Sequence, residues 1–98
     1  MKLTISDQAA KWYIDELGLQ EGSHLRFYVR YGGHSTVQSG FSLGIMQEEP
    51  ENAAAATTMN EINFYVEEKD LWYFDGHDLL ITFNEKLTEP EFQYEKSA

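Results

Sequence analysis

The sequence contains no cysteine, and this absence removes several classes of function. Disulfide bonds, thiolate nucleophiles and thiolate metal sites all require cysteine side chains. Long apolar runs are also missing, since no stretch approaches the roughly 18 residues that a membrane-spanning helix needs. The start, Met1–Thr4, lacks the apolar segment of a signal peptide. We therefore expect a cytoplasmic protein that makes no membrane contact.

Positive charge is scarce. Seven lysine and arginine residues stand against 17 aspartate and glutamate residues, which gives a net charge of −10. The imbalance lies in the second half, where 13 acidic and three basic residues follow Gln47. Such a field repels phosphate backbones, so we expect no nucleic-acid partner and predict contact with a basic protein surface. Arg26, Tyr28 and Arg30 lie on one face of a predicted strand, and we interpret the two cations as surface residues that form ion pairs.

The 98 residues are enough for one modest hydrophobic core and too few for two. A hydrophobic content of 42%, with 14% aromatic residues, is typical of a folded chain. We expect a single domain that spans residues 1–98.

The stretch Leu25–Met46 predicts a strand, a glycine-rich loop and a second strand. Apolar residues alternate with polar or small ones on both sides of the loop, the pattern of strands buried on one face. Between them, Gly32–Thr36 provides backbone freedom and small polar side chains, which suit a turn or a close approach to a ligand.

The rest of the chain predicts one longer helix, one short helix and further strands. An amphipathic helix is predicted over Ser6–Leu17 and ends at Gly18. Residues 53–59 are compatible with helix, strand or loop, and we favour a short strand paired through a turn at Asn60–Glu61. The remaining predicted elements are a strand over Ile62–Glu67, one or two helical turns over Lys69–Phe74 with Gly76 as the stop, a strand at Leu79–Phe83, a turn over Glu85–Glu89, and a last short strand at Phe92 and Tyr94 before a frayed end over Lys96–Ala98.

This order predicts an α+β fold. Strands so close together imply mainly antiparallel or mixed sheets, in a compact β-sandwich-like body with an N-terminal amphipathic helix and a short helix before the penultimate strand. Trp12 is expected to anchor the core. The strand centres that we expect to be buried are Phe27, Leu43, Phe64 and Ile81.

Few residues form a pattern typical of a chemical site. The three histidines, His24, His34 and His77, are scattered without metal-ligand spacing. The segment Asp75–Asp78 carries two carboxylates beside His77, but without the spacing of a calcium loop it is interpreted as a solvated turn. No group of residues indicates a catalytic apparatus, so we expect that the protein is not an enzyme.

Several of these segments together resemble the HesB/IscA-like iron–sulfur cluster assembly domain, the family of A-type carriers. The similarity runs from Thr4 to about Tyr94. It is carried by the segments Thr4–Ala10, Leu25–Ser35 (LRFYVRYGGHS), Ile62–Glu67 and Leu71–Gly76 (LWYFDG), and by Phe92.

The resemblance implies a HesB-like fold and a set of expected ligands. Members of this family hold iron or an iron–sulfur cluster through one cysteine in the glycine loop and two in a C-terminal C-x-C tail. Here His34 stands at the loop cysteine position, and the ending Gln93–Ala98 has no C-x-C. The resemblance therefore implies a cysteine-free divergent member in which His34 is the one candidate metal ligand.

Two functions remain open from the sequence. The first is an accessory role in iron–sulfur cluster biogenesis, with no cofactor in the isolated protein beyond weak iron binding at His34. The alternative is a protein-interaction module without metal chemistry, which uses its acidic C-terminal half and exposed aromatics at Trp72, Tyr73 and Tyr94. Both require a protein partner. A homodimer is also possible, and it could bring His34 of two chains together.

Overall fold

The computed structural model describes residues 1–96, which form two sheets, two α-helices and one 3₁₀ turn; Ser97 and Ala98, part of the predicted frayed end, lie outside the described residues. No helix in this part of the chain is long and apolar enough to cross a membrane. The elements in chain order are β1 (Leu3–Ile5), α1 (Asp7–Leu17), β2 (His24–Tyr31), β3 (Phe41–Gln47), β4 (Ala53–Met59), β5 (Ile62–Glu67), the 3₁₀ turn (Glu68–Asp70), α2 (Leu71–Phe74), β6 (His77–Asn84) and β7 (Glu89–Lys96).

The predicted N-terminal helix is present and is capped at both ends. The Ser6 hydroxyl accepts a hydrogen bond from the Ala9 N–H at 3.1 Å, which satisfies one of the free donors of the first turn. Gly18 ends the helix in the left-handed conformation, at φ 62°. The buried face presents Ala9, Ala10 and Tyr13 to the core, so the amphipathic prediction is confirmed.

The strands form two mixed sheets, as the sequence predicts. One sheet has the order β3-β2-β5-β4 and the other the order β1-β6-β7. The pairs β2–β5 and β1–β6 are parallel, and the other pairs are antiparallel. Residues 53–59 are a strand that meets β5 through a tight turn, in which Asn60 and Glu61 have φ values of 52° and 65°. This turn geometry is typical of a two-residue hairpin and confirms the favoured alternative.

Two features of the sheets differ from the prediction. β1, at Leu3–Ile5, was not predicted because three residues are too few for an alternation to be recognised. It pairs with β6, and the Ser6 N–H donates to the Ile81 carbonyl at 2.9 Å at the end of this pair. β7 begins at Glu89 and runs to Lys96, so it is longer than the short strand that Phe92 and Tyr94 indicate. All eight residues of β7 pair in continuous register with β6.

The core lies between the two sheets and α1. Phe27, Phe64 and Ile81 are almost fully buried, as predicted, but Leu43 is only half-buried. Leu43 lies on β3, the outermost strand of its sheet, and therefore packs against the core from one side. Trp12 is also half-buried and contacts the core through an edge-to-face contact with Tyr13, with ring centroids 5.3 Å apart. It is a boundary residue rather than a core anchor.

Candidate functional site

The glycine loop between β2 and β3 is held in shape by its own hydrogen bonds. The Gly32 N–H donates to the Gly40 carbonyl at 2.7 Å. The Ser35 hydroxyl accepts from the Gln38 N–H at 3.1 Å and donates to the Gln38 carbonyl at 3.0 Å. Gly33 has φ 73°, and a Cβ there would lie 2.6 Å from the Ser42 hydroxyl. A side chain at this position is therefore excluded by both conformation and space.

His34 is exposed on this loop and faces a small cavity of about 250 Å³. Ser35 and Thr36 line the cavity from the loop, and Phe92 and Tyr94 line it from β7. Among residues 1–96, no three His, Cys, Asp or Glu side chains group together as a metal site. An iron–sulfur cluster takes most of its ligands from thiolates, so one imidazole among hydroxyl and aromatic groups does not fit a cluster.

Tyr94, which lines this cavity, forms a hydrogen-bonded pair with Tyr73. Their hydroxyl oxygens are 2.7 Å apart, and burial together with this hydrogen bond raises the pKa of Tyr94 above its ordinary value. Tyr73 is fully buried and Tyr94 half-buried. The expectation that both are exposed interaction residues is therefore wrong, because the short helix and β7 turn these rings towards each other.

An exposed aromatic patch lies beside the loop and consists of Tyr31, Phe41 and Trp72. Tyr31 is 88% exposed and Trp72 is 51% exposed. The ring of Phe41 lies between them, with centroid distances of 5.6 Å to Tyr31 and 5.1 Å to Trp72. The sequence indicates Trp72. The alternation of Leu25, Phe27, Val29 and Tyr31 predicts that Tyr31 lies on the buried face of β2, and this prediction is wrong because the strand extends past the core there.

A buried charge cluster joins three elements on the other face of β2, and it was not predicted. Arg26 was expected on the surface, but its side chain is 8% exposed and donates to Asp70 at 2.9 Å and to Glu48 at 3.4 Å. Burial alone would lower the pKa of Arg26, but the two carboxylates raise it above its ordinary value. The guanidinium carbon also lies 5.9 Å from the ring centroid of Tyr28. This cluster fixes the 3₁₀ turn and the segment after β3 to the sheet.

Glu67 is a second buried carboxylate, with 2% of its surface exposed. It accepts hydrogen bonds from the backbone N–H groups of Glu51 and Asn52, both at 2.9 Å. Burial raises its pKa, but these two donors and the charge of Arg26 outweigh burial and hold the pKa below its ordinary value. Glu67 thus fixes the loop between β3 and β4.

The lowered pKa of Glu67 predicts a pH-dependent contribution to stability. The contribution is fully present above the ordinary glutamate pKa of about 4.3 and is lost as pH falls through the lower folded pKa. We expect Glu67→Gln to lower the melting temperature at pH 7 by about 4–8 °C, the range for one lost hydrogen bond in a domain of this size. As pH is lowered from 7 to 2, the melting temperatures of wild type and Glu67→Gln should converge. A difference that stays constant to pH 2 would contradict this role.

Within the segment Asp75–Asp78, only Asp75 and Gly76 form a turn, whereas His77 and Asp78 already belong to β6, so the turn is shorter than the sequence predicts. The Nδ1 atom of His77 lies 2.8 Å from the Phe74 carbonyl oxygen and 3.1 Å from that of Asp75. The Asp78 carboxylate accepts a hydrogen bond from the Lys2 N–H at 2.8 Å. These contacts fix the end of α2 and the start of β6.

The sequence matches the family model described as iron-sulphur cluster biosynthesis over residues 1–97. It is 48% identical over 95 residues to a Bacillus subtilis (strain 168) protein named pyruvate dehydrogenase inhibitor. The aligned region covers 97% of this chain and 100% of that protein. An uncharacterized Staphylococcus haemolyticus protein is 39% identical over 84 residues, 83% of this chain and 85% of its own length. An uncharacterized Staphylococcus saprophyticus protein is 35% identical over 92 residues, 91% of this chain and 94% of its own length.

Proposed function

This chain belongs to the iron-sulphur cluster biosynthesis family, and from that premise we propose that it is an accessory, protein-binding member whose target is pyruvate dehydrogenase. The observation that carries the proposal is the 48% identity, over 97% of this chain and the full length of the relative, to the protein named pyruvate dehydrogenase inhibitor. The protein acts by binding and not by catalysis, and it needs no cofactor to do so.

The side chains of the glycine loop support binding over cluster transfer. The sequence has no cysteine, and the cavity beside His34 offers one imidazole together with hydroxyl and aromatic groups. The loop is shaped by internal hydrogen bonds and by Gly33. Its conformation therefore does not depend on a bound metal.

The surface supports a basic protein partner. The net charge of −10 arises from the second half of the chain, and opposite charge on a partner speeds and orients association. The aromatic patch of Tyr31, Phe41 and Trp72 adds a contact that does not depend on charge. Tryptophan and tyrosine are the residues most often found to dominate binding energy at interfaces. We therefore place Trp72 at the contact with the target.

We expect the purified protein to bind and inhibit the pyruvate dehydrogenase complex of its own organism in a dose-dependent manner. Trp72→Ala should weaken inhibition at least about 30-fold, because loss of a central aromatic anchor costs about 2 kcal/mol or more. Leu87→Ala is the matched control, since Leu87 is also exposed, at 63%, but lies in the turn before β7. The measurements are steady-state activity with increasing inhibitor and calorimetric titration of the complex.

Raising the salt concentration should weaken the same binding, because exposed charges are screened over about 8–10 Å at physiological ionic strength. Absence of both binding and inhibition would refute pyruvate dehydrogenase as the target. Equal inhibition by Trp72→Ala and Leu87→Ala would refute the aromatic contact. The identification of pyruvate dehydrogenase as the target would then still stand.

For metal, we propose that the isolated protein carries no cluster and that His34 alone binds iron too weakly to retain it. A useful iron site needs two or three further ligands in fixed geometry. We expect wild type and His34→Ala to retain equal, negligible iron after anaerobic reconstitution with iron and sulfide, followed by metal analysis and visible absorption. A stable brown wild-type protein that loses its colour in His34→Ala would show that His34 is a ligand.

A further inference from the structure

β3 forms an open edge of the four-stranded sheet. Its one neighbour among the described strands is β2, and its sequence FSLGIMQ includes no charged residue and no proline. Edge strands usually carry such residues or a bulge, because free N–H and C=O groups pair with other extended chains. By contrast, β7 has Pro90 and four charged side chains, and β4 has an irregular register near Ala53. Of these edges, β3 is therefore the one that can accept an added strand.

The β2–β3 register identifies the backbone groups that face outwards. The Gly32 N–H donates to the Gly40 carbonyl at 2.7 Å, and this pair continues the register of the two strands. Hydrogen-bonded pairs alternate along an antiparallel ladder, so every second residue after Gly40, including Gly44, bonds to β2. The N–H and C=O groups of Leu43 and Ile45 therefore point away from the sheet, towards the position of an added strand.

A groove of about 380 Å³ at this edge has both apolar and charged residues in its walls. Leu43 and Ile45 line it from β3, Trp12 lines it from α1 and Phe92 lines it from β7. Alternate side chains of a strand point to the same face. An added strand would therefore place every second side chain against this apolar wall, which matches valine, leucine or isoleucine.

Tyr28 forms the wall on the other face of the strand. It opposes Gly44 across the β2–β3 pair, and a Cβ at Gly44 would lie 2.7 Å from the Tyr28 ring. The absence of a side chain at Gly44 thus lets this ring reach the groove, which both residues line. A small residue such as threonine, opposite Gly44 in the added strand, fits beside the ring.

The two charged residues of the groove, Arg30 and Glu89, lie towards its opposite ends. Arg30 is close to the glycine loop, because it opposes Ser42 at the start of β3 and donates to the Ser42 hydroxyl at 3.1 Å. β7 begins at Glu89 and lines the cavity beside that loop with Phe92 and Tyr94, so Glu89 is at the end farther from the loop. Both charged residues are exposed. A complementary segment therefore carries a carboxylate near the loop and a cationic group at the other end.

We propose that this edge binds an extended segment of a partner protein, antiparallel to β3, with the six-residue pattern basic, polar, apolar, polar, apolar, acidic. The two apolar residues oppose Ile45 and Leu43 and enter the groove. The basic residue faces Glu89, and the acidic residue faces Arg30. The assignment of this segment to pyruvate dehydrogenase rests on the proposed function, whereas the pattern follows from the groove itself.

The groove continues into the aromatic patch of Tyr31, Phe41 and Trp72. Phe41 is the first residue of β3, and Arg30 directly precedes Tyr31. A segment that runs antiparallel to β3 leaves the groove at its acidic end and reaches the patch there. The edge and the patch thus form one continuous surface for the same partner.

The first test uses a synthetic peptide in place of the partner. The probe is the capped peptide Lys-Thr-Val-Thr-Val-Glu, which follows the proposed pattern. We expect saturable chemical-shift changes at the Leu43 and Ile45 amides at millimolar peptide. N-methylation of the first valine removes the N–H opposite Ile45 and should weaken binding at least about tenfold. Glu-Thr-Val-Thr-Val-Lys has the same composition with its charges exchanged and should bind at least about threefold more weakly.

A matched pair of protein variants tests the charge of the groove. Glu89→Lys should weaken binding of the first peptide at least about threefold, because it places like charge beside the peptide lysine. Glu91→Lys should bind like wild type. Glu91 lies on the same strand, is also exposed and changes the net charge equally, but it is not one of the residues that line the groove.

Hydrogen exchange in the presence of the pyruvate dehydrogenase complex separates the docking edge from the target. The Leu43 and Ile45 amides should exchange at least about tenfold more slowly when the complex is added, and the first peptide should relieve inhibition. Peptide binding without inhibition of the complex would refute the target and support the docking edge. Inhibition without protection of these two amides would overturn the docking edge and leave the target standing.

The peptide experiments overturn the proposal in three further cases. These are the absence of a saturable shift at Leu43 and Ile45, equal binding of the N-methylated peptide, and shifts confined to β4 or β7. Equal binding to Glu89→Lys and Glu91→Lys would overturn the charge pattern. Protection of Leu43 and Ile45 that rises with protein concentration alone would show that a second copy, and not a partner segment, occupies the edge.

Discussion

Asp70→Ala is expected to lower the free energy of unfolding by about 3–5 kcal/mol, because it leaves a buried arginine without its main partner. The Asp70 side chain is 10% exposed and that of Arg26 8% exposed, at an atomic separation of 2.9 Å. The Nε atom of Arg26 is already buried without a hydrogen-bond partner among residues 1–96. The remaining partner, Glu48, lies at 3.4 Å and is 34% exposed, so it compensates the charge only in part.

A double substitution separates the cost of the orphaned charge from the cost of lost packing. Arg26→Met with Asp70→Leu removes both charges and retains apolar volume, and such replacements of buried ion pairs are often neutral or stabilising. We expect the double variant to be more stable than Asp70→Ala by about 3 kcal/mol or more in urea unfolding. Equal destabilisation of the two variants would show that the cluster acts through shape and not through charge.

The contrast between Arg26 and Phe27 shows which parts of the fold can be predicted from the sequence. Alternation places Phe27 on the buried face of β2, and the structure confirms it. The same alternation places Arg26 on the opposite face, which is also correct. Alternation does not reveal that the 3₁₀ turn and the segment after β3 cover that face and supply Asp70 and Glu48.

The same limit applies to the candidate site. The glycine loop and the position of His34 follow from the sequence, because glycine and small polar residues indicate a turn directly. The cavity beside His34 combines the loop with Phe92 and Tyr94 of β7, which are distant in sequence. The aromatic patch likewise joins Tyr31 and Phe41 to Trp72 across the chain. Contacts of this kind depend on sheet order, which local periodicity does not determine.

Phe27→Ala is expected to cost about 3–5 kcal/mol of unfolding free energy, the range for a well-packed phenylalanine. Phe27 has no exposed surface and touches one aromatic ring from each of three elements. Its ring centroid lies 5.7 Å from that of Tyr13 on α1, 6.3 Å from that of Phe64 on β5 and 5.8 Å from that of Phe92 on β7. The cavity left by alanine would therefore loosen both sheets and the helix together.

Phe64→Ala should be destabilising to a similar degree, since Phe64 is also fully buried and its ring lies 6.3 Å from Tyr13 as well as from Phe27. Tyr31→Ala is the matched control on the strand of Phe27, because it removes an aromatic ring that is 88% exposed and should change stability by no more than about 0.5 kcal/mol. Urea unfolding followed by tryptophan fluorescence measures all three variants. Wild-type stability in Phe27→Ala and Phe64→Ala would refute this core, whereas a loss in Tyr31→Ala as large as theirs would show that the aromatic patch also stabilises the fold.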